Sequence, residues 1–198
     1  MEYRGSAYVA KWDSRKNVLF TAAHNLLYFD ENGEVCESKN ILFIPGMKDI
    51  HDSSDKRPYG KYTAEGFAVH REWNPTTGKT KDDYDFGIIL LKSRKDDKNV
   101  CDVVDPITID FDREAKEGDT WETLGYPVRD ENPNVAIMKQ TGVFVEKVGG
   151  HISKISKMEA FGDGGSGCVW LSAKSEMEFM CQAVFDTHYR LHRTLHQT

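Results

Sequence analysis

Val18-Leu19-Phe20-Thr21-Ala22-Ala23-His24 is the stretch from which the rest of the chain can be read. Its apolar start reads as a strand, and the strand delivers a histidine onto the turn that follows. A second stretch is Asp83-Tyr84-Asp85-Phe86-Gly87-Ile88-Ile89-Leu90-Leu91. Here an aspartate heads a buried strand, where its carboxylate can be held at a sheet rim. The third is Gly164-Gly165-Ser166-Gly167, a serine in a glycine-lined turn ahead of another apolar strand.

These residue types in combination point to nucleophilic catalysis. A serine hydroxyl is a poor nucleophile until a neighbouring imidazole takes its proton. The imidazole needs a carboxylate to fix its tautomer and to stabilise its charged form. Glycines around the serine let backbone N–H groups converge on a developing oxyanion, and each such donor is worth about 2.7–4 kcal/mol. Taken singly, His24, Asp85 and Ser166 also have ordinary structural readings, with Asp82 and Asp83 as rivals for the role of Asp85.

Working outward, strand-like runs dominate: Ser6–Val9, Asn17–Phe20, Ile41–Ile44, Phe86–Leu91, Val135–Met138, Gly142–Val148, Cys168–Leu171 and Glu178–Phe185. Turn signals separate them, among them Asn32-Gly33, Pro58-Tyr59-Gly60, Asn74-Pro75, Asn132-Pro133 and Gly149-Gly150. Many short strands with few helical periods predict an all-β sandwich or barrel. Leu191 and Leu195, with His188, His192 and His196, recur every four residues and predict a short C-terminal helix. The polar stretch Ser93–Val100 is the best linker, and it splits the 198 residues near their middle.

The composition is globular, with 39% hydrophobic and 29% charged residues, which excludes a disordered or collagen-like chain. A net charge of −6 argues against a dedicated nucleic-acid binder. No apolar run approaches a membrane span, and Met1–Gly5 lacks the apolar core of a signal peptide. The compartment stays open between the cytoplasm and secretion from a longer precursor. Cys36, Cys101, Cys168 and Cys181 form no C-x-x-C pair and read as buried free thiols, with a Cys168–Cys181 bridge as the rival. The three spaced histidines of the terminal segment read as a solvated helix face rather than a metal site. The acidic Asp30–Glu34 stretch reads as a hairpin turn at Asn32-Gly33 rather than a calcium loop.

With T-A-A-H, D-Y-D-F-G and G-x-S-G in this order, the chain resembles the trypsin-like serine peptidases of the chymotrypsin double-β-barrel fold. Ile44-Pro45-Gly46, Arg57-Pro58-Tyr59-Gly60, Trp73 and Leu124-Gly125-Tyr126-Pro127 narrow the resemblance to the glutamyl-endopeptidase, or V8-like, branch. It spans about Gly5 to Phe185. The resemblance implies His24 as general base, Asp85 as its orienter and Ser166 as nucleophile. It places the oxyanion hole at the backbone N–H groups of Gly164 and Ser166. It also implies two antiparallel six-stranded-type barrels, residues 1–100 carrying His24 and Asp85 and residues 101–198 carrying Ser166 and the terminal helix. The expected substrate is a protein or peptide, without cofactor or metal and without nucleic acid or membrane as partner.

Departures from the family pattern define the alternatives. Aligning Gly162-Asp163-Gly164-Gly165 with the family's G-D-S-G puts Gly164 at the nucleophile position. The protein is then an inactive peptidase-fold module that binds peptides or proteins. The register with Ser166 is preferred, because glycines then stand at −2 and +1 where tight backbone geometry wants them. The places that hold an acidic substrate side chain in V8-like enzymes carry Phe161 and Phe185, with His188 nearby. An unpaired buried carboxylate is costly, so an apolar side chain, or a pocket partly plugged by phenylalanine, fits at least as well. Asn25 stands where trypsins carry a disulfide-forming cysteine, so that bridge is absent. The Gly5–Val9 strand matches the family's second strand. The expectation is thus a double barrel trimmed at both ends, cut from a longer protein or completed by an upstream segment or second chain.

Overall fold

A computed structural model describes residues 5–12, 14–30, 32–47, 57–73, 84–109, 115–127, 138–147, 153–156, 165–172 and 178–179. Its strands are Tyr8–Val9 (β1), Val18–Thr21 (β2), Leu27–Phe29 (β3), Val35–Glu37 (β4), Leu42–Phe43 (β5), Tyr62–Val69 (β6) and Gly87–Leu91 (β7). They continue as Thr108–Ile109 (β8), Thr120–Gly125 (β9), Met138–Lys147 (β10), Ser153–Ser156 (β11), Val169–Ser172 (β12) and Glu178–Phe179 (β13). The terminal helix expected around His188 to His196 lies outside the described residues.

β2 is buried at all four positions, and its neighbours explain why. It pairs antiparallel with β1, Tyr8 opposite Phe20 and Val9 opposite Leu19. On its other side it pairs with β7, from Val18 opposite Leu90 to Thr21 opposite Gly87. Successive side chains point to opposite faces of a strand, and both faces of β2 meet apolar partners. Leu19 packs with Val9, Leu26, Tyr62, Ile89, Leu91 and Val100. Val18 and Phe20 pack with Ala10 and, around them, Tyr8, Ile88, Leu90 and Ile109. Each fully buried side chain of this size contributes about 1.5–3 kcal/mol, so the β2–β7 pair is the rigid centre of the first sheet. The sheet runs β1-β2-β7-β6-β5.

β3 and β4 form a separate hairpin across Asn32-Gly33, as the sequence predicts. Gly33 takes a φ of +79°, a conformation glycine adopts at no steric cost, and the Asp30 carboxylate accepts the Asn32 and Glu34 N–H groups.

The second sheet runs β11-β10-β9-β12-β13-β8. Its centre is β9, paired with β10 from Thr120 opposite Val143 to Gly125 opposite Met138, and with β12 from Trp121 opposite Ser172 to Leu124 opposite Val169. Trp121, Phe144 and Trp170 form its core, with Ala115 and Cys168 against them.

The connecting segment ties the two sheets together. Ile107 donates to the Val9 carbonyl at 2.9 Å and accepts from Lys11 N–H at 2.7 Å, while the next two residues form β8 of the second sheet. Among the described residues the first sheet has five strands, with β1 and β5 at its ends. Ile107 bonds on either side of Ala10, where β1 ends.

Candidate active site

The β2–β7 register decides where His24 and Asp85 meet. The strands are antiparallel and Thr21 lies opposite Gly87. The residues that follow β2 and those that precede β7 therefore emerge at the same rim. Ala23–Asn25 forms a single 3-10 turn there, closed by Asn25 N–H to Ala22 O at 3.1 Å and Leu26 N–H to Ala23 O at 2.8 Å. Leu26, fully buried in the first core, anchors the turn. Gly87 makes that anchoring fit, because a Cβ there would stand 2.5 Å from Leu26 Cδ1.

Asp85 is 1% exposed. Its Oδ1 accepts the His24 backbone N–H at 2.8 Å, and its Oδ2 lies 2.5 Å from His24 Nδ1. A buried carboxylate is tolerated only when its lone pairs are bonded, and one residue supplies both bonds. With the carboxylate as acceptor, Nδ1 carries the proton and Nε2 presents its lone pair. The residues on either side of Asp85 are pinned by His70, which follows β6. The Tyr84 ring stacks on the His70 ring at 4.6 Å, and Phe86 tilts against the same ring at 5.3 Å. Asp82 and Asp83, the sequence rivals of Asp85, lie outside the described residues.

Ser166 belongs to a turn from Gly165 to Cys168, closed by Cys168 N–H to Gly165 O at 3.0 Å, with Gly167 at φ +82°. That turn lies directly on the His24 turn. A Cβ on Gly167 would collide with Ser6 O and Thr21 Oγ1. The Ser166 carbonyl accepts two bonds, from Ser6 N–H at 2.8 Å and from the side chain of Asn25 at 3.1 Å. Asn25 is the neighbour of His24 in the chain, so the structure brings the serine turn and the histidine turn together through adjacent residues. Gly164, Phe161, Phe185 and His188 lie outside the described residues.

Sequence reasoning missed the residues that join the two sheets here. Ser6, almost fully buried, bonds in three directions. Its N–H reaches Ser166 O, its carbonyl accepts the Thr21 hydroxyl at 2.8 Å, and its Oγ accepts Tyr126 N–H at 2.8 Å. Tyr126, from the G-Y-P stretch, accepts the Gly46 and Met47 N–H groups on its hydroxyl, and burial pushes its pKa up. Gly125 allows this crossing, since a Cβ there would lie 2.8 Å from Cys168 Cβ and 3.1 Å from Ser6 Oγ. Cys168 is a free thiol. Burial raises its pKa, and its Sγ sits 3.1 Å from Thr123 Oγ1. It is therefore held protonated, and a protonated thiol is a poor nucleophile. Cys181 lies outside the described residues.

No protein-family model matches the chain, and no curated protein sequence does. Solved structures do match. The chain is similar to the protease Anisep from Arthrobacter nicotinovorans at TM-score 0.67 and 17% identity, covering 88% of this chain and 79% of that one. It is similar to the thermostable serine protease AL20 from an extremophilic microorganism at TM-score 0.67 and 20% identity, covering 88% and 74%. It is similar to a Glu endopeptidase at TM-score 0.59 and 19% identity, covering 88% and 76%. The fold of this chain is therefore the two-sheet, chymotrypsin-type fold of the trypsin-like serine proteases.

Proposed function

We propose that the protein is a serine endopeptidase of V8-like type, with His24, Asp85 and Ser166 as its triad. The observation that carries this reading is the pair of hydrogen bonds from His24 to the buried Asp85 carboxylate, at the rim where the Ser166 turn docks. The reading assigns His24 and Asp85 to a first barrel within residues 1–100 and Ser166 to a second within residues 101–198.

In this mechanism Ser166 Oγ attacks the carbonyl carbon of a peptide bond while His24 Nε2 takes the hydroxyl proton. Asp85 holds the imidazole in the required tautomer and stabilises the imidazolium. The oxyanion faces the N–H groups of Ser166 and Gly164. Collapse breaks the C–N bond, His24 returns the proton to the leaving amine, and Ser166 is left acylated. Water, deprotonated by His24, then releases the acid and restores the hydroxyl. The reading assigns Phe161, Phe185 and His188 to the pocket for the residue on the acyl side of the cut, and two phenylalanines there would favour an apolar side chain.

A fluorophosphonate probe tests the triad. Labelling of the parent protein, absent from Ser166→Ala and strongly slowed in His24→Ala, is the expected result. Labelling that persists in Ser166→Ala, or no labelling of the parent at any pH, overturns the reading in favour of a non-catalytic peptide-binding module. Cleavage of a mixed peptide library by the parent protein then reads the side-chain preference directly.

A further inference from the structure

Asn25 closes a ring of hydrogen bonds around the Ser166 peptide. Its Nδ2 carries two protons. One bonds Ser166 O at 3.1 Å and the other bonds Thr21 Oγ1 at 3.0 Å. The Thr21 hydroxyl donates onward to Ser6 O at 2.8 Å, and Ser6 N–H donates to Ser166 O at 2.8 Å. Four residues from three chain segments are thus linked, with both amide protons of Asn25 used. A Cβ on Gly5 would lie 2.6 Å from Asn25 Nδ2, so the N-terminal segment closes over it. On the other side the Asn25 carbonyl accepts the Ser38 hydroxyl at 2.7 Å.

We propose that Asn25 is a positioning residue that fixes the nucleophile against its base. This rests on the peptidase reading given above. Asn25 ends the 3-10 turn that carries His24, and its side chain holds the carbonyl of Ser166. The two turns therefore cannot shift relative to each other without breaking the Asn25 bond. Fixing the Ser166 carbonyl fixes the plane of the peptide that follows Ser166, and with it the backbone from which the serine side chain springs. Backbone donation from Ser6 alone leaves the carbonyl free to pivot about one bond; the second donor removes that freedom. Reactions of this kind lose about 100-fold for a displacement of roughly 1 Å.

The test uses the full chain and measures the fluorophosphonate labelling rate as a function of probe concentration. Asn25→Ala removes both donors. Asn25→Asp keeps the shape but sets an oxygen against the Ser166 carbonyl. The expected result is a maximal labelling rate about 10–100-fold lower in both folded variants, with the half-saturating probe concentration close to that of the parent. A role in packing alone would lower the thermal midpoint and leave the maximal rate of the folded fraction unchanged. A parental maximal rate in either folded variant overturns the proposal. Loss of the fold in both also overturns it, by making Asn25 a structural residue. Failure of the peptidase reading is separately visible, as an unlabelled parent or a labelled Ser166→Ala, and the proposal falls with it.

Discussion

Asp85 takes both of its close hydrogen bonds from the same residue, His24: the backbone N–H at Oδ1 (2.8 Å) and the ring Nδ1 at Oδ2 (2.5 Å). The first bond fixes where the histidine stands and the second fixes how its ring is turned. Position and tautomer are thus set by a single buried carboxylate at the head of β7.

Asp85→Asn separates these two functions. The amide is nearly isosteric, so the buried site stays filled. Its oxygen can still accept the His24 backbone N–H, which leaves its NH2 facing the ring. If the amide donates to Nδ1, the ring proton moves to Nε2, where no proton can then be accepted. The expected loss in labelling or peptidase rate is about 10⁴-fold, with the fold retained by circular dichroism. A variant within about 10-fold of the parent would remove Asp85 from the proposed mechanism.

Two glycines with nearly the same backbone conformation have very different surroundings, and this gives a paired prediction. Gly33 has φ +79° with nothing within 4 Å of the place a Cβ would take, whereas Gly167 has φ +82° and abuts Ser6 O and Thr21 Oγ1. Gly33→Ala should cost about 1–2 kcal/mol, from the backbone conformation alone. Gly167→Ala carries the same cost plus a collision with backbone that cannot rotate away, and should cost clearly more. Urea unfolding of the two variants checks this. Equal midpoints would show that the Ser166 turn does not press on the His24 turn.

The rim residues were legible because local sequence determines them: a strand followed by a small-residue turn, and an aspartate heading an apolar run. The register Thr21 to Gly87 then brings them to one edge without further information. Other elements were hidden for physical reasons. β6 loses its two-residue alternation at a register shift between Ala64 and Gly66. In β9 the polar Thr123 is fully buried while Leu124 is partly exposed, the reverse of a simple hydrophobic pattern. The inward hydroxyl is satisfied by the Val169 carbonyl at 2.9 Å, a partner from β12 that no local pattern announces. Ser6 and Asn25 are harder still, since their partners lie 120 and 141 residues away and each is an ordinary polar residue until the sheets meet.

Cys168 leads to a prediction on alkaline stability. Burial raises its pKa above the ordinary 9.0, so the folded protein holds the thiol protonated where the unfolded chain has begun to ionise. Tyr126 is raised above 10.0 for the same reason. For a raised pKa the sign is fixed. The stabilisation is fully present below the unfolded value and is lost as pH rises from there through the folded value. Stability should therefore fall from about pH 9 upward, each such group adding up to about 1.4 kcal/mol per pH unit to the slope. Cys168→Ala removes one of them. Its cavity lowers the whole curve by a constant amount, but its slope above about pH 9 should be shallower than that of the parent. Urea midpoints across this range separate the offset from the slope. Parallel curves for the parent and Cys168→Ala would mean that the thiol is not held protonated by burial behind the Ser166 turn.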